Sequence, residues 1–452
     1  MAAALPVAAL LAGCANLSRK PTGVALVGVT VIDGSGAPPQ RDMVVVVREG
    51  HIEAVRPVIG FRAPPRTEEV DLAGRTVIPG LIDAHAHVER WALPRYLAWG
   101  VTAVRDVHGT LDSILALRER AKRGALAGPR IYSAGAMLDG EPTTYPDALG
   151  VSDETGARKA VDRLAVAGVD YLKAYTRMTP ALLGAMLDEA KTFKLRVTAH
   201  LGLTDAVTAA RLGLASEEHL SGIPEAALAD PAPLYAAHRA SFFAGWTAFE
   251  RSWAGLDSTA LERVARELAA TGVTLVPTLV LHETFSRLDA PAAQQDSALA
   301  AVPPAQIERW NTPDMIRRAG WTAADFAAFR RARPNQDFFV RRFSAAGGTV
   351  AAGTDASNQQ LVPGASVHTE LELLTRAGLT PLAAIAAATG NAARLLGADS
   401  LGVLAPGKVA DLVVLRGDPS HDIRRTRAIE QVMLRGRFLR ADSLRQVVTA
   451  GR

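Results

Sequence analysis

The chain has 452 residues, 48% hydrophobic and 21% charged, which is enough apolar material for one large domain and a smaller one. That composition excludes a disordered tail protein. The 50 basic residues nearly balance 46 acidic ones and form no stripe that would track phosphates, so no nucleic-acid partner is expected.

Residues 1–23 read as a lipoprotein-type signal and tether. The single cysteine, Cys14, ends Leu11-Ala12-Gly13-Cys14, which resembles a bacterial lipobox, where cleavage before the cysteine precedes its lipidation. The apolar run ahead of it is far shorter than the ~20 residues of a spanning helix. The expected location is therefore the bacterial cell envelope, on the outer membrane or the periplasmic face, with membrane contact only through the N-terminal lipid. Residues 24–78 are rich in Val and Ile, broken by Gly and Pro, and predict strands. A second strand-rich stretch fills 400–452, so the two ends predict one small β-domain.

Between them, residues 79–399 alternate short apolar strands with helical patterns. Eight strands are predicted, at 79–84, 101–106, 130–135, 169–175, 196–200, 216–220, 273–280 and 349–355, the count of a (β/α)₈ TIM barrel. Two connections, 221–272 and 281–348, are too long for ordinary loops and carry helical periodicity. They hold most of the aromatic residues, 14 of 24 lying between Tyr235 and Phe343. Those rings fit an apolar lid over the active face and equally the inserts' own core.

The chemistry gathers at the strand ends. His85 and His87 sit at i and i+2, one face of a strand, so both imidazoles can address one ion. Lys173 lies on the fourth predicted strand, His200 ends the fifth, His219 the sixth and Asp355 the eighth. In a parallel barrel all these C-terminal ends meet at one mouth. A Lys buried beside four imidazoles is pushed toward its neutral form by burial and by neighbouring positive charge. A neutral amine can add to CO₂ and become an anionic carbamate, whose two oxygens can bridge two metals. The pattern therefore predicts a dinuclear site with ligands that suit zinc. Such a site would activate a hydroxide against a carbonyl, with Asp355 carrying the proton to the leaving nitrogen.

The motifs VIPGLIDAHAH, GVTAVRD, the strand-four Lys, TAH, EEH, GTDA, TGNAARLLG and LAPGKVADLVVL together resemble the metal-dependent amidohydrolase superfamily, over about residues 24–440. Within it, the layout is similar to the imidazolonepropionase-like and Xaa-Pro or Xaa-Arg dipeptidase-like members. The resemblance implies that His85, His87 and Asp355 bind one metal and His200 and His219 the other, with carboxylated Lys173 bridging. It also implies that the two chain ends form a small β-sandwich domain beside the barrel. Tyr175 and Arg177 continue the alternation from Lys173 and are candidates for the oxyanion and for a substrate carboxylate. His282 and His108 follow strands seven and two and are further candidates for substrate contact. Asp106 is expected to buttress the site, His368 to cap a helix or lie on the surface, and His51, His238 and His421 to be incidental.

The expected activity is cleavage of a C–N amide bond in a dipeptide or N-acyl amino acid. A lactone, cyclic imide or phosphotriester hydrolase, and a non-catalytic envelope lipoprotein, are the alternatives. Close relatives of the dipeptidase kind often carry Gly-Gly-His-Gly-Asp after strand three, where this chain has SAGAMLDGEP (133–142), so the substrate stays open. An apolar barrel flank would also permit a homo-oligomer.

Overall fold

The computed structural model describes residues 21–290, 297–439, 444 and 446; the lipobox and Cys14 lie outside them. The chain opens with five strands: β1 (Gly23–Val31), β2 (Gln40–Arg48), β3 (His51–Pro57), β4 (Thr67–Asp71) and β5 (Arg75–Pro79). Three more close it: β16 (Leu412–Arg416), β17 (Ile429–Leu434) and β18 (Arg437–Leu439). All eight share one sheet, ordered β18-β17-β16-β5-β1-β2-β3, with β4 parallel to β1. The seam between the two ends is the antiparallel β5–β16 ladder, from Arg75 opposite Arg416 to Pro79 opposite Leu412. The four consecutive valines of β2 follow from burial on both faces. Val45 and Val47 pack with Leu26 and Leu412, whereas Val44 and Val46 pack with Ala25 on the other side.

The intervening chain forms ten strands in two parallel sheets. β6 (Leu81–Ala86), β7 (Val101–Asp106) and β8 (Arg130–Ser133) make a three-stranded sheet. β9 (Leu138–Gly140), β10 (Leu149–Val151), β11 (Leu172–Ala174), β12 (Val197–Ala199), β13 (Ser216–Glu218), β14 (Thr274–Val276) and β15 (Thr349–Val350) make a seven-stranded one, ordered β10-β9-β11-β12-β13-β14-β15. The two sheets meet where β6 runs beside the chain leaving β15. Ala84 N donates to Ala352 O at 2.9 Å, and Asp355 N to His85 O at 2.8 Å. Asp83 reinforces the contact by accepting from Thr354 Oγ1 at 2.6 Å. This is a mixed α/β fold with the strand and helix alternation of a TIM barrel. Several connecting helices start abruptly at a side-chain cap and stop at a left-handed glycine. Asp153 with Gly168, Asp205 with Gly213 and Asp257 with Gly272 are such pairs.

Two expectations change. The predicted strand 273–280 stops at Val276, because Thr278 turns left-handed at φ +44° and a helix, Leu279–Phe285, begins directly. An apolar run this short has no periodicity to separate strand from helix. Strands β9 and β10, inside and after SAGAMLDGEP, were not anticipated. The long inserts are helical, as their periodicity predicts, at 223–227, 232–240, 242–253, 258–271, 304–310, 312–319 and 323–345. Their aromatic residues divide between both expected roles. Trp253, Phe339 and Phe343 pack ring on ring within the inserts, and Phe329 packs on Trp321, in a core continuous with that of the strands, while Phe242, Phe243 and Trp246 face a cavity over the strand ends.

His368 is not a surface cap. It is fully buried, its ring bonding Thr426 Oγ1 at 2.9 Å and Trp99 O at 3.0 Å, and so it pins its helix to the chain-end segment. Burial, with Arg427 nearby, pushes its pKa down to about 3. A depressed imidazole pKa means the unfolded chain binds the proton first, so its contribution is present above about pH 6.5 and lost as pH falls toward 3. His368→Leu should be less stable than wild type by about 1–3 kcal/mol at pH 7. The gap should close as pH is lowered to 4, read from urea midpoints at each pH.

Candidate active site

Each residue at the centre owes its place to a strand end. His85 lies on β6 and His87 just past it; Lys173 is on β11; His200 and His219 directly follow β12 and β13; Asp355 lies in the segment after β15. The chain leaves two of these positions in the left-handed region, with φ +64° at His219 and +61° at Asp355, and Leu220 follows at +60°. Such conformations strain a residue with a Cβ and persist only where the surroundings enforce them. Gly353 shows how close the backbones run beneath the site. A Cβ there would sit 2.7 Å from His85 Cβ and 2.6 Å from Val276 Cγ1.

The imidazoles converge. Ring centroids lie 4.2 Å apart for His85 and His219, 4.8 Å for His200 and His219, and 6.0 Å for His85 and His87. Asp355 Oδ1 is 3.2 Å from His85 Nε2 and 3.0 Å from His87 Nε2, and Asn358 Nδ2 holds Oδ2 at 2.5 Å. His85, His219 and Asp355 offer ligand atoms all within 4.8 Å of one another, a spacing able to hold a cation. Burial would raise the Asp355 carboxyl, but His219, His85 and His87 hold it well below the ordinary range, so it is an anion. Burial drives the His200 and His219 rings well down, which leaves them neutral with lone pairs to offer.

Lys173 is 1% exposed, and its Nζ has no hydrogen-bond partner among the described residues. Burial lowers its pKa to about 8. A buried amine without a partner is costly unless something else occupies its donors or its lone pair. The donor set therefore fits a divalent cation site: four imidazoles, of which burial keeps His200 and His219 neutral, one carboxylate and an amine that can lose its charge.

Glu218, unanticipated, orients this set. Its carboxylate is fully buried on β13 and takes Arg105 NH2 at 2.6 Å, His85 Nδ1 at 2.5 Å and Ser216 Oγ at 2.6 Å, with Thr198 Oγ1 as a fourth donor. Burial raises such a carboxyl, yet Arg105 and His85 overcome it and keep Glu218 ionised. With the proton on Nδ1, His85 turns the lone pair of Nε2 inward. A signal existed in the alternation, since Ser216 and Glu218 are polar residues on the interior face of an otherwise buried strand. Asp106 does buttress, accepting from Val88 N at 2.8 Å and Ser133 Oγ at 3.0 Å.

The centre floors a cavity of about 620 Å³. Tyr175 lines it, its ring 5.0 Å from that of His200 and 6.5 Å from Phe242. His108 lines it too, bonded through Nε2 to Asp147 at 3.1 Å. Arg177 does not. Its guanidinium turns out to the carbonyls of Pro142 and Arg239, while Arg318, unnoticed in the sequence, stands on the cavity rim. His282 is buried behind the wall, with Glu250 on Nδ1 and the His219 carbonyl on Nε2. His238 is not incidental but buried, its Nε2 3.0 Å from Glu225. Replacing Arg105 with Met would leave Glu218 a buried, uncompensated charge. That variant should lose about 3–5 kcal/mol of stability in urea unfolding.

Against known proteins, the model of the Amidohydrolase family matches residues 76–439. The imidazolonepropionase of Deinococcus radiodurans is 28% identical over 412 residues, 88% of this chain and 92% of the relative. Among solved structures, bottromycin amidohydrolase superposes with a TM-score of 0.71 at 25% identity, covering 96% of this chain and 92% of that one. A Xaa-Pro dipeptidase with bound methionine in its active site has the same fold, with a TM-score of 0.67 at 21% identity, covering 92% and 100%. The chain belongs to the Amidohydrolase family, whose members are metal-dependent, and it is a hydrolase acting on carbon–nitrogen bonds.

Proposed function

We propose that this protein is a dinuclear metal-dependent amidohydrolase that cleaves a dipeptide or an N-acyl amino acid with a large apolar acyl or N-terminal group. The observation that carries the reading is Lys173, a buried amine without a partner among four imidazoles and an ionised carboxylate. His85, His87 and Asp355 would hold one ion and His200 and His219 the other, zinc being the best match to imidazole and oxygen donors. Lys173 would bridge them as a carbamate: its neutral Nζ forms a bond to the carbon of CO₂ and releases a proton. The bound ions would supply Lewis acidity for the carbonyl and a nucleophile from water at neutral pH.

The chain's own groups do the rest. Asp355, anionic at the start, accepts a proton and delivers it to the departing nitrogen. Tyr175 keeps its phenolic proton, because burial raises its pKa well above the ordinary value, and it would donate that proton in a hydrogen bond to the developing oxyanion. Its ring, with Tyr145, Phe242 and Trp246, forms an aromatic corner against His200, suited to the apolar group. On the rim, Arg318 replaces Arg177 as the cation for the substrate carboxylate. We read the two parallel sheets as arcs of one (β/α)₈ barrel over about 79–399, the chain-end sheet as its sandwich-like companion, and residues 1–23 as a lipid-anchored envelope tether.

Protein grown with zinc and bicarbonate should carry about two metals per chain by elemental mass spectrometry. Lys173→Ala should reduce that number and abolish turnover. One metal per chain, indifferent to Lys173, would defeat the dinuclear reading. In a substrate panel, Arg318→Ala should raise KM roughly tenfold for substrates ending in a carboxylate and leave their amidated counterparts unchanged. Equal effects on both would remove Arg318 from that role.

A further inference from the structure

His219 leaves its strand left-handed, at φ +64°, so its carbonyl lies past the last residue of the strand. The residue is 3% exposed, so that carbonyl needs a donor inside the protein. The donor that reaches it is His282 Nε2, at 3.0 Å. The same short segment grips His219 twice more. Val276 O accepts its N–H at 3.0 Å, and Thr278 Oγ1 meets its Nδ1 at 2.8 Å, leaving Nε2 to face the centre.

Behind His282 lies a second layer drawn from both inserts. Glu250, on the helix Phe242–Trp253, is 2.5 Å from His282 Nδ1. Gln336, on the helix Ala323–Ala345, donates to Glu250 Oε2 at 3.1 Å. Trp246 stacks on the imidazole at 5.6 Å and 10°. All three polar side chains are at most 2% exposed. Proton accounting fixes the direction of the bonds. A carbonyl only accepts, so Nε2 carries a hydrogen, and the Glu250 contact needs one proton between its two atoms. Whichever atom holds that proton, the pair is neutral overall and Nε2–H stays a donor. Neither ring nitrogen is left for a substrate.

We infer that His282, oriented by Glu250 and Gln336, is a positioning residue that locks the backbone of His219 and so keeps that imidazole aimed at the centre. The inference rests on the reading of His219 as a metal ligand. It ties the helical inserts to the metal site: their docking supplies the Glu250 and Gln336 that orient the clamp, besides providing cavity wall.

The test uses hydrogen–deuterium exchange on metal-free full-length protein, and metal affinity by chelator competition on the reconstituted enzyme. In His282→Leu, exchange in peptides spanning 216–223 should quicken about tenfold while the other strand ends stay as in wild type. Affinity for one of the two metals should fall by at least tenfold. Glu250→Gln, which can still donate to Nδ1 and leave Nε2–H in place, should keep both properties near wild type, whereas Glu250→Leu should lose them. If His282→Leu itself fails to fold, the two Glu250 variants decide.

Unchanged exchange at 216–223, or loosening spread evenly over the protein, would overturn the clamp. So would a variant that keeps its metals and local protection and shows only a raised KM. Local loosening with full metal retention, when His219→Ala also retains both metals, would support the clamp and show that His219 is not a ligand.

Discussion

A single buried carboxylate sets the geometry on which the rest of the centre depends. Glu218 is fully enclosed, and an isolated charge in that position would be prohibitively costly. Its compensation comes from four strands: His85 on β6, Arg105 on β7, Thr198 on β12 and Ser216 beside it on β13. Those strands belong to both parallel sheets, so the ion pair also fixes one sheet against the other. Arg105 strengthens the tie by donating to the Ala84 carbonyl next to His85. Such interior pairs contribute little net stability compared with well-packed apolar residues. Their value here is directional, because satisfying Glu218 requires His85 to turn one particular nitrogen toward the centre.

From that fixed floor the structure changes character outward. The residues at the centre sit on or just past short strands, where ladder bonds and left-handed turns leave the backbone few alternatives. The walls come from helices inserted between strands, and they present aromatic faces in place of hydrogen-bonding groups. Phe242 and Trp246 each approach His200 at 6.2 Å, so the apolar side of the cavity adjoins one part of the histidine cluster. Asn358 and Asp147 make other parts of the lining polar, and Arg318 puts a cation on the rim. A substrate apolar at one end and anionic at the other matches that asymmetry.

What could be read from the residues alone follows the same division. Strand-end histidines were legible because alternation of period two and parallel topology together dictate where they meet. Glu218 shares the face of Ser216 by that same alternation, but nothing local to the strand tells that Arg105 and His85, more than 100 residues away, neutralise it there. His282 was misjudged because β14 is three residues long and the helix starts within the same apolar run. His368 was expected at a helix cap or the surface and His238 to be incidental, yet both are buried: His368 reaches Thr426 and Trp99, far off in sequence, and His238 reaches Glu225 on the preceding helix. Arg177 follows the alternation from Lys173 on paper, but β11 ends at Ala174, and past a strand end the alternation no longer governs direction. The aromatic inserts supported two readings, and the fold uses both.

The choice of lysine at position 173 is the most restrictive of all. The chain uses Arg 43 times and Lys only 7, so a cation wanted merely for structure would normally be an arginine, as it is at Arg105. A guanidinium cannot discharge at any accessible pH and would repel both a metal ion and the imidazoles around it. An amine can discharge, and burial has already brought this one down to about 8. Among the described residues its Nζ has no acceptor to hold a proton in place. At the centre, Arg105 and Lys173 are thus separated by function: Arg105 is permanently charged and neutralised by Glu218, while Lys173 is placed where its charge can be given up.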